Sequence, residues 1–418
     1  MNLAELRILI VAENASARFG GEAILPLHYF RYLRQRGIQT WLVVHQRTRD
    51  ELHALLPAEA SRMFFVPDTA MQRFASRLSI HLPGALGNFT SGQLIRFSTQ
   101  LRARDIARKL IAKFRIDVVH QPTPVSPKEF SLLYDLGAPV VIGPMNGAMS
   151  YPPAFRRRQG RLEDSFVTVG RASARNLNPL FPGKIRASTL IVANQRTEQA
   201  LPRGIRGRVV QLPENGVDLN LWQPREYSQT SAAPARFVFA GRFDIRKSID
   251  LLLEAFKIVL QTTPATLAII GDGPDRARFQ QQVADLGIAH ATSFLGWVSQ
   301  QRCAAEFRAS DVLVLPSLRE CGGAVVLEAM ACALPVIAAN WGGPADYLDH
   351  TCGILVPPRQ RGAFIADLAQ AMIKLALDPD LRKDMGLGGR VRVIKEFSWL
   401  GKIDRILEIY AQTVQPHE

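Results

Sequence analysis

Short apolar runs alternate with amphipathic stretches along most of this chain. In the N-terminal half, the apolar runs predict strands at residues 7–11, 40–45, 116–120, 139–143 and 189–194. In the C-terminal half they predict strands at 236–241, 266–271, 311–316, 335–338 and 353–356. Helical periodicity is found at residues 22–36, 249–260, 276–286, 300–308 and 364–376. Strands that alternate with helices in this way indicate an α/β protein with parallel sheets.

The two series of strands suggest two domains. Residues 213–235 are rich in Pro, Asn, Gln and Ser and interrupt the alternation, so they are interpreted as a linker. We therefore predict an N-terminal domain at 1–215 and a C-terminal domain at 216–398. A last helix within 399–418 is expected to pack back on the first domain. The expected architecture is two doubly wound, Rossmann-like domains that face each other across a cleft.

Composition agrees with a large globular protein. The chain has 418 residues, of which 47% are hydrophobic and 21% charged. Its four cysteines form no Cys-x-x-Cys pair, so reduced thiols are expected and a zinc site is not. The most apolar window, 322–339, contains Glu328 and Pro335 and is therefore not expected to span a bilayer. These features favour a cytoplasmic location.

The charge is distributed unevenly. The net charge is +14, and residues 1–224 hold 30 basic and 16 acidic side chains, whereas the rest is balanced. A basic amphipathic segment lies at 70–115 and contains Arg73, Arg77, Arg96, Arg102, Arg104, Arg108, Lys109, Lys113 and Arg115. A second cationic cluster comprises Arg156, Arg157, Arg158 and Arg161. Such a segment is typical of a membrane-surface or polyanion contact, and equally of a solvated helix face.

The most informative stretch runs from 315 to 343. A predicted strand is followed by a loop with Glu320 and the glycines Gly322 and Gly323, and then by a helix. Glycines at a helix N-terminus let backbone N–H groups approach a phosphate. Glu328 lies one turn into the otherwise apolar helix, where a carboxylate is costly unless it accepts hydrogen bonds. Ligand hydroxyl groups would satisfy both carboxylates.

A second cluster follows the strand at 236–241. Arg242 and Lys247 lie in the loop after this strand, at the edge where doubly wound sheets bind ligands. Arginine binds phosphate oxygens bidentately, and lysine adds a point charge. The third cluster is the end of the strand predicted at 266–271, which enters a tight turn after Gly271.

Together these clusters resemble family 4 of the retaining glycosyltransferases, which have the GT-B fold. The resemblance covers about 120 residues. It rests on Gly241-Arg242 with Lys247, on Glu320 and Glu328 with seven residues between them, and on Gly342-Gly343.

The resemblance implies specific roles. Arg242 and Lys247 would bind the nucleotide diphosphate, and Glu328 would bind the ribose hydroxyls. The donor sugar would be held by Glu320, Gly322 and Gly323, and the base would meet the backbone near Val298. The chain departs from the family pattern at Ser248 and Ala333, where glycine is usual, and at Asp346 and Ala324. The last of these puts the identity of the donor sugar in doubt.

The N-terminal half resembles the family more loosely. Gly20 and Gly21 match a glycine pair near the donor phosphates, and His120 matches an active-site histidine that contacts the donor sugar. A histidine at a strand end is also often structural. Three further residues, Glu13, Asn14 and Asn146, follow strands and are expected acceptor contacts.

The sequence therefore predicts a retaining glycosyltransferase that uses a nucleotide-diphosphate sugar and needs no cofactor or metal. Its acceptor would be a glycan or a lipid-linked glycan, and the enzyme would lie on the inner face of the membrane as a peripheral protein. One alternative is an epimerase or a soluble disaccharide synthase of the same fold. A second is a polyanion-binding protein, although no nucleic-acid-binding motif is present and no nucleic-acid partner is expected. A catalytically inactive scaffold is the third.

Overall fold

The computed structural model describes residues 3–19, 21–68, 84–158, 180–226 and 234–415, except the side chains of 84–94 and 157. The chain divides into two compact units. The first comprises Met1–Ala148, Phe166–Glu214 and Lys402–Glu418, and the second comprises Met149–Ser165 and Asn215–Gly401. The segment beginning at Met149 thus groups with the second unit, and most of the last helix groups with the first.

The described residues of the first unit form seven strands. They are β1 (Arg7–Val11), β2 (Gln39–His45), β3 (Met63–Val66), β4 (Val118–Gln121), β5 (Val140–Met145), β6 (Thr189–Val192) and β7 (Arg208–Gln211). Its helices are α1 (Gly21–Gln35), α2 (Arg49–Leu55), α3 (Gly84–Phe114), α4 (Gly183–Arg186) and α5 (Gln195–Glu198).

The sheet of the first unit is parallel and has the order β3-β2-β1-β4-β5-β6-β7. β1 pairs on one side with β2 and on the other with β4, where Ile10 lies opposite His120. The chain turns in opposite directions after β1 and after β4, so the loops that follow these strands diverge. Such a switch point creates a crevice at the carboxyl ends of the strands.

In the second unit, the part of the chain that the structure describes forms six strands. They are β8 (Ala235–Ala240), β9 (Ala265–Ile270), β10 (Thr292–Gly296), β11 (Val312–Leu315), β12 (Val336–Ala339) and β13 (Gly353–Val356). Its helices are α6 (Ile249–Thr262), α7 (Arg276–Asp285), α8 (Gln300–Arg308), α9 (Ala324–Ala331), α10 (Gly343–Tyr347), α11 (Arg361–Leu377) and α12 (Pro379–Arg392). The last helix, α13 (Trp399–Val414), begins in this unit and continues into the first.

The second sheet is also parallel, with the order β10-β9-β8-β11-β12-β13 and a switch point between β8 and β11. The predicted α/β class with two Rossmann-like domains is therefore confirmed. The sequence pattern did not predict β3, β7 and β10. All three lie at sheet edges, and most of their residues are only half-buried, so the apolar runs that mark central strands are weak there.

The basic segment predicted at 70–115 corresponds in part to α3. Its described side chains include Ala103, Ala107, Leu110 and Ile111, which are buried in the core of the first unit. The described part of the segment is thus a surface helix with one buried face. Arg73 and Arg77 lie outside the described residues.

Two departures from the family pattern fall on left-handed backbone. Ser248 has a φ of 55° and Ala333 a φ of 56°. Glycine adopts this conformation without steric cost, whereas a Cβ atom is disfavoured there. Ser248 is also fully buried, and its Oγ has no hydrogen-bond partner among the described residues. Both positions are therefore points of local strain, for which glycine is the relaxed choice.

We predict that Ser248→Gly increases the free energy of unfolding by about 1–2 kcal/mol, because it relieves the left-handed backbone and removes an unpaired hydroxyl. Urea unfolding measures this change. The matched control is Ser248→Ala, which removes the hydroxyl but keeps the Cβ atom. Equal stabilisation by alanine and glycine would show that backbone strain is not the cause.

Candidate functional site

The switch point of the second sheet brings two loops together. One loop follows β8 and carries Arg242 and Lys247, and the other follows β11 and carries Glu320. The Lys247 Nζ donates to Glu320 Oε2, and the two side chains are 20% and 14% exposed. The Leu318 N–H also donates to the Arg246 carbonyl at 3.0 Å. Residues predicted from separate motifs thus form one mostly buried ion pair.

The other cations of the β8 loop differ in their partners. Arg246 Nη2 donates to Asp244 Oδ2 at 2.6 Å, and Asp244 Oδ1 also accepts from the Arg246 backbone N–H at 3.0 Å. Arg246 is therefore committed to the structure of its own loop. Arg242 is exposed, and its guanidinium makes no hydrogen bond or ion pair with any residue that the structure describes. Arg242 can therefore bind an anion without first losing a protein partner.

Close backbone contacts hold the neighbouring loops in place. Gly343 N–H donates to the Glu320 carbonyl at 2.9 Å, and a Cβ atom on Gly343 would lie 2.1 Å from the Gly322 carbonyl oxygen. Gly342 has a φ of +75°, and a Cβ atom there would lie 2.3 Å from the Glu320 carbonyl oxygen. These glycines are thus required for the loop after β12 to pack against the loop that carries Glu320.

Gly323, with a φ of +79°, is the N-cap residue that precedes α9. No side chain caps this helix N-terminus, so its first N–H groups and the positive end of the helix dipole are available to an anion. Gly322 is buried beside it. The predicted glycine pair therefore lies at an uncapped helix N-terminus.

Glu328 lies in the second turn of α9 and is largely removed from water. Burial raises the pKa of its carboxyl group to about 7. This carboxylate receives no hydrogen bond from any of the described residues. Burial likewise raises the pKa of the neighbouring Cys332 thiol to about 12. A ligand with hydroxyl groups would supply the hydrogen bonds that the ionised Glu328 needs.

Val298 is half-buried and follows β10, at the same carboxyl edge of the sheet. Its neighbour Ser299 caps α8 by accepting the Arg302 N–H at 3.2 Å. Trp297 is 78% exposed, which is unusual for so large an aromatic side chain. The sequence analysis did not single out Trp297, since exposure cannot be inferred from residue type.

At the switch point of the first sheet, Glu13, Asn14 and Gly21 line a cavity of about 430 Å³. It lies wholly within the first unit, at the carboxyl ends of β1 and β4. Gly20 lies outside the described residues. Glu13 and Asn14, the predicted acceptor contacts, follow the end of β1 and lie in the wall of this cavity.

His120 is a core residue of the first unit, and its contact with a donor sugar stays a prediction. It is 0% exposed. Its Nε2 donates to the Gly143 carbonyl at 2.6 Å, and the Tyr410 hydroxyl donates to its Nδ1 at 2.6 Å. Tyr29 packs edge-on against the imidazole at 4.9 Å between centroids. Burial lowers the pKa of His120 to about 4, although its hydrogen bond to Gly143 acts in the opposite direction, so the ring is neutral.

Asn146 is also buried, at 3% exposure, and its amide is used inside the unit. Its Nδ2 donates to Glu214 Oε2 at 2.7 Å, and its Oδ1 accepts from Thr197 and Arg196 at 3.4 Å. The polar atoms of Asn146 thus stabilise the chain after β5, and an acceptor contact by this residue stays a prediction.

Among the described residues, no group of three or more His, Cys, Asp and Glu side chains is arranged to hold a metal ion. The Asp378-Pro379-Asp380 triplet lies at the N-terminus of α12. There Asp378 Oδ1 accepts the Leu381 N–H at 2.9 Å and caps the helix. This triplet is therefore explained by its structural role.

Comparison with known proteins supports the resemblance. Residues 225–392, within the second unit, match the family model described as "Glycosyl transferases group 1". The two parallel-sheet units define a fold of the GT-B type, and the match to this family model lies in the second unit. No described helix is long and apolar enough to cross a membrane.

Two curated relatives are similar to part of the chain. The D-inositol 3-phosphate glycosyltransferase of Saccharomonospora viridis is 33% identical over 216 residues, which are 48% of this chain and 49% of that protein. The alpha-maltose-1-phosphate synthase of Mycolicibacterium smegmatis is 32% identical over 219 residues, 48% of this chain and 56% of that protein. The chain spans about half the length of the curated relatives it matches.

A solved structure supports the fold over nearly the whole chain. The structure of HepE from Anabaena in complex with UDP has a TM-score of 0.66 and 18% sequence identity. The structural alignment covers 97% of this chain and 100% of the HepE chain. At this identity the similarity concerns the fold alone.

The buried His120 predicts a pH effect on stability. Its pKa is about 4 when folded, against about 6.5 when unfolded, so between these values the unfolded chain binds a proton that the folded chain does not. This contribution to stability is therefore lost as the pH falls from about 6.5 to 4, by up to about 1.4 kcal/mol per pH unit. His120→Gln should remove it.

Urea unfolding at several pH values measures this slope in the wild type and the variant. His290→Gln is the matched control because His290 is exposed. Identical slopes in wild type and His120→Gln would mean that His120 titrates as a solvated histidine and does not belong to the core.

Proposed function

We propose that the protein is a glycosyltransferase that moves a sugar from a nucleoside-diphosphate sugar to an acceptor with retention of anomeric configuration. The observation that supports this most directly is the Lys247–Glu320 pair near an uncapped helix N-terminus, in the same loop as Arg242, which has no partner among the described residues. Cations and helix N–H groups suit a diphosphate, and carboxylates suit the hydroxyls of a sugar and a ribose. The family match of residues 225–392 supports the same class.

In this proposal the diphosphate binds Arg242, Lys247 and the N-terminus of α9. Contact with the diphosphate draws Lys247 away from Glu320, whose carboxylate then accepts hydrogen bonds from the donor sugar. Glu328 accepts hydrogen bonds from the ribose hydroxyls. The same pair of side chains thus serves the empty and the occupied site, because each charge has a partner in both.

The chemical step exchanges one bond for another. The bond between the anomeric carbon and the diphosphate oxygen breaks as the acceptor oxygen bonds to that carbon from the same face. The acceptor proton passes to the departing diphosphate oxygen. Arg242 and Lys247 stabilise the negative charge that develops on the leaving group, and this preorganised charge is the main catalytic contribution. We propose that these cations take the place that a divalent metal has in other transferases.

The acceptor is proposed to be a glycan, either free or lipid-linked. The curated relatives are named for D-inositol 3-phosphate and for maltose 1-phosphate. The match to them covers about half of each protein, so the acceptors in their names do not identify the acceptor of this chain. The cavity of the first unit bears separately on the class of acceptor.

Nucleotide binding should depend on Arg242. We predict that Arg242→Ala weakens UDP binding about 10–100-fold, since a hydrogen bond to a charged group contributes about 1.5–3 kcal/mol. Calorimetric titration of the wild type with UDP, GDP and ADP first identifies the base, and the preferred nucleotide is then titrated into the variant. Arg242 has no protein partner in the part of the chain that the structure describes, so this variant should fold normally.

Lys257→Ala is the control for that experiment. Lys257 is exposed on α6, and its loss changes the net charge by the same amount. If the two variants bound nucleotide equally well, the proposed diphosphate site would be wrong.

We further propose that the first unit contacts an anionic membrane surface through α3. The exposed cations of the described part of α3 include Arg102, Arg108, Lys109 and Lys113. Arg104 instead stacks on Tyr134 and donates to its carbonyl oxygen at 3.0 Å. Each cation near an anionic leaflet contributes on the order of 1 kcal/mol, and salt screens this attraction.

Vesicle sedimentation tests this contact. We predict that the protein binds phosphatidylglycerol vesicles but not phosphatidylcholine vesicles at low salt, and that combined reversal of Arg102, Lys109 and Lys113 to Glu abolishes binding. The control reverses three exposed cations of the second unit, Lys257, Arg278 and Lys374. Equal partitioning onto both kinds of vesicle, or equal loss in the two triple variants, would contradict the proposal.

A further inference from the structure

The cavity of the first unit has a definite chemical character. Its volume of about 430 Å³ suits a small ligand, and it opens at the carboxyl ends of β1 and β4. The loop after β1, the start of α1, the middle of α3 and the loop after β4 form its walls. All of these walls belong to the first unit.

Carboxylates dominate the charged groups of the cavity. Glu13, Glu22 and Glu129 line it, against the single cation Arg96. Arg96 Nη1 lies 2.5 Å from Glu129 Oε1, and its Nε lies 3.5 Å from Glu13 Oε2. Arg47, which does not line the cavity, lies 3.3 Å from Glu13. Among the described lining residues, the one cation is therefore neutralised twice, and no unpaired cation is left there for a phosphate.

Glu22 strengthens this discrimination. It lies in the first turn of α1, where its negative charge already complements the helix dipole. Burial, together with the charge of Glu129, raises the pKa of Glu22. A second anion placed here would meet the same unfavourable field. The buried Lys184 is near Glu129 but does not line the cavity, and it donates to the Ser126 carbonyl at 2.7 Å.

Two uncharged features indicate what the cavity does accept. Asn14 Oδ1 is buried and has no hydrogen-bond partner among the described residues. It therefore needs a donor from a ligand, and a hydroxyl group provides one whereas an ionised phosphate does not. Phe19 lines the cavity and is 54% exposed, so it presents an apolar face. Carboxylates around an aromatic face suit a sugar ring, which has apolar C–H faces and hydroxyls at its edge.

We propose that this cavity binds an uncharged, hydroxyl-rich sugar ring and excludes sugar phosphates. The identification of this ring as the acceptor rests on the proposed function, whereas the ligand class follows from the cavity itself. Glu13, Glu22 and Glu129 accept hydrogen bonds from the ring hydroxyls, Asn14 accepts another, and Phe19 covers one face of the ring.

The test is a set of binding titrations on the full chain at low salt, in which NMR detects the binding of each sugar. The neutral probes are methyl α-D-glucopyranoside, methyl α-D-mannopyranoside and methyl α-D-galactopyranoside, and the charged probes are glucose 6-phosphate and glucosamine. We expect at least one neutral glycoside to bind at least tenfold more tightly than glucose 6-phosphate. Equal or tighter binding of glucose 6-phosphate would overturn the proposal, and tighter binding of glucosamine would overturn the uncharged class.

Glu129→Gln provides a gain-of-binding test. This substitution removes the main counter-ion of Arg96, so glucose 6-phosphate should bind at least tenfold more tightly than to the wild type. Phe19→Ala should weaken the neutral glycoside several-fold. Its control is Leu55→Ala, since Leu55 is 50% exposed in the same unit and does not line the cavity. No change in either Glu129→Gln or Phe19→Ala would place the sugar elsewhere and overturn the proposal.

UDP, GDP and ADP titrations separate this proposal from the proposed function. If a nucleotide binds and none of the sugar probes does, the cavity proposal fails and the nucleotide site stands. If a neutral glycoside binds and no nucleotide does, the transferase proposal fails while the ligand class of the cavity stands.

Discussion

The ion pair between Lys247 and Glu320 depends on the position of β8 beside β11. The two residues are 73 positions apart, and only parallel pairing of these two strands makes the loops after them neighbours. An ion pair that is largely removed from water is costly to break by loss of one partner, since the remaining charge is left unpaired. The pair therefore fixes both loops before any ligand arrives. In the same loop, Arg242 is the cation that has no partner among the described residues.

Polar groups in the first unit are used differently at the two sides of β4. His120, near the end of this strand, is enclosed between Gly143 and Tyr410, so its hydrogen bonds hold β5 and the last helix to the sheet. On the other side, the loop after β4 forms a wall of the acidic cavity. Near the end of β4, the buried side chain of His120 thus makes structural contacts, whereas the loop that follows lines a cavity large enough for a ligand.

The backbone explains two departures from the family pattern. Ser248 and Ala333 occupy left-handed conformations in which the resembled family has glycine. Neither residue carries charge, and neither lies among the groups proposed to bind the diphosphate. The protein thus tolerates local strain next to its candidate site without a change in the chemistry of that site. The glycines at 342 and 343 could not be replaced in this way, because a Cβ atom there would meet the backbone of the Glu320 loop.

The sequence by itself determined the class of fold and the chemistry of the second unit. Central strands are continuous apolar runs because both faces of a parallel sheet are buried, and glycines, cations and carboxylates after such strands must share one edge. Edge strands such as β10 were missed, since a half-buried strand leaves a weaker pattern. Only the tertiary structure decided that the side chains of His120, near the end of β4, and Asn146, just after β5, are buried, because a residue at a strand end can point either way. It also brought Arg96 of α3 to Glu13 and Glu129, and this long-range neutralisation gives the cavity its acidic character.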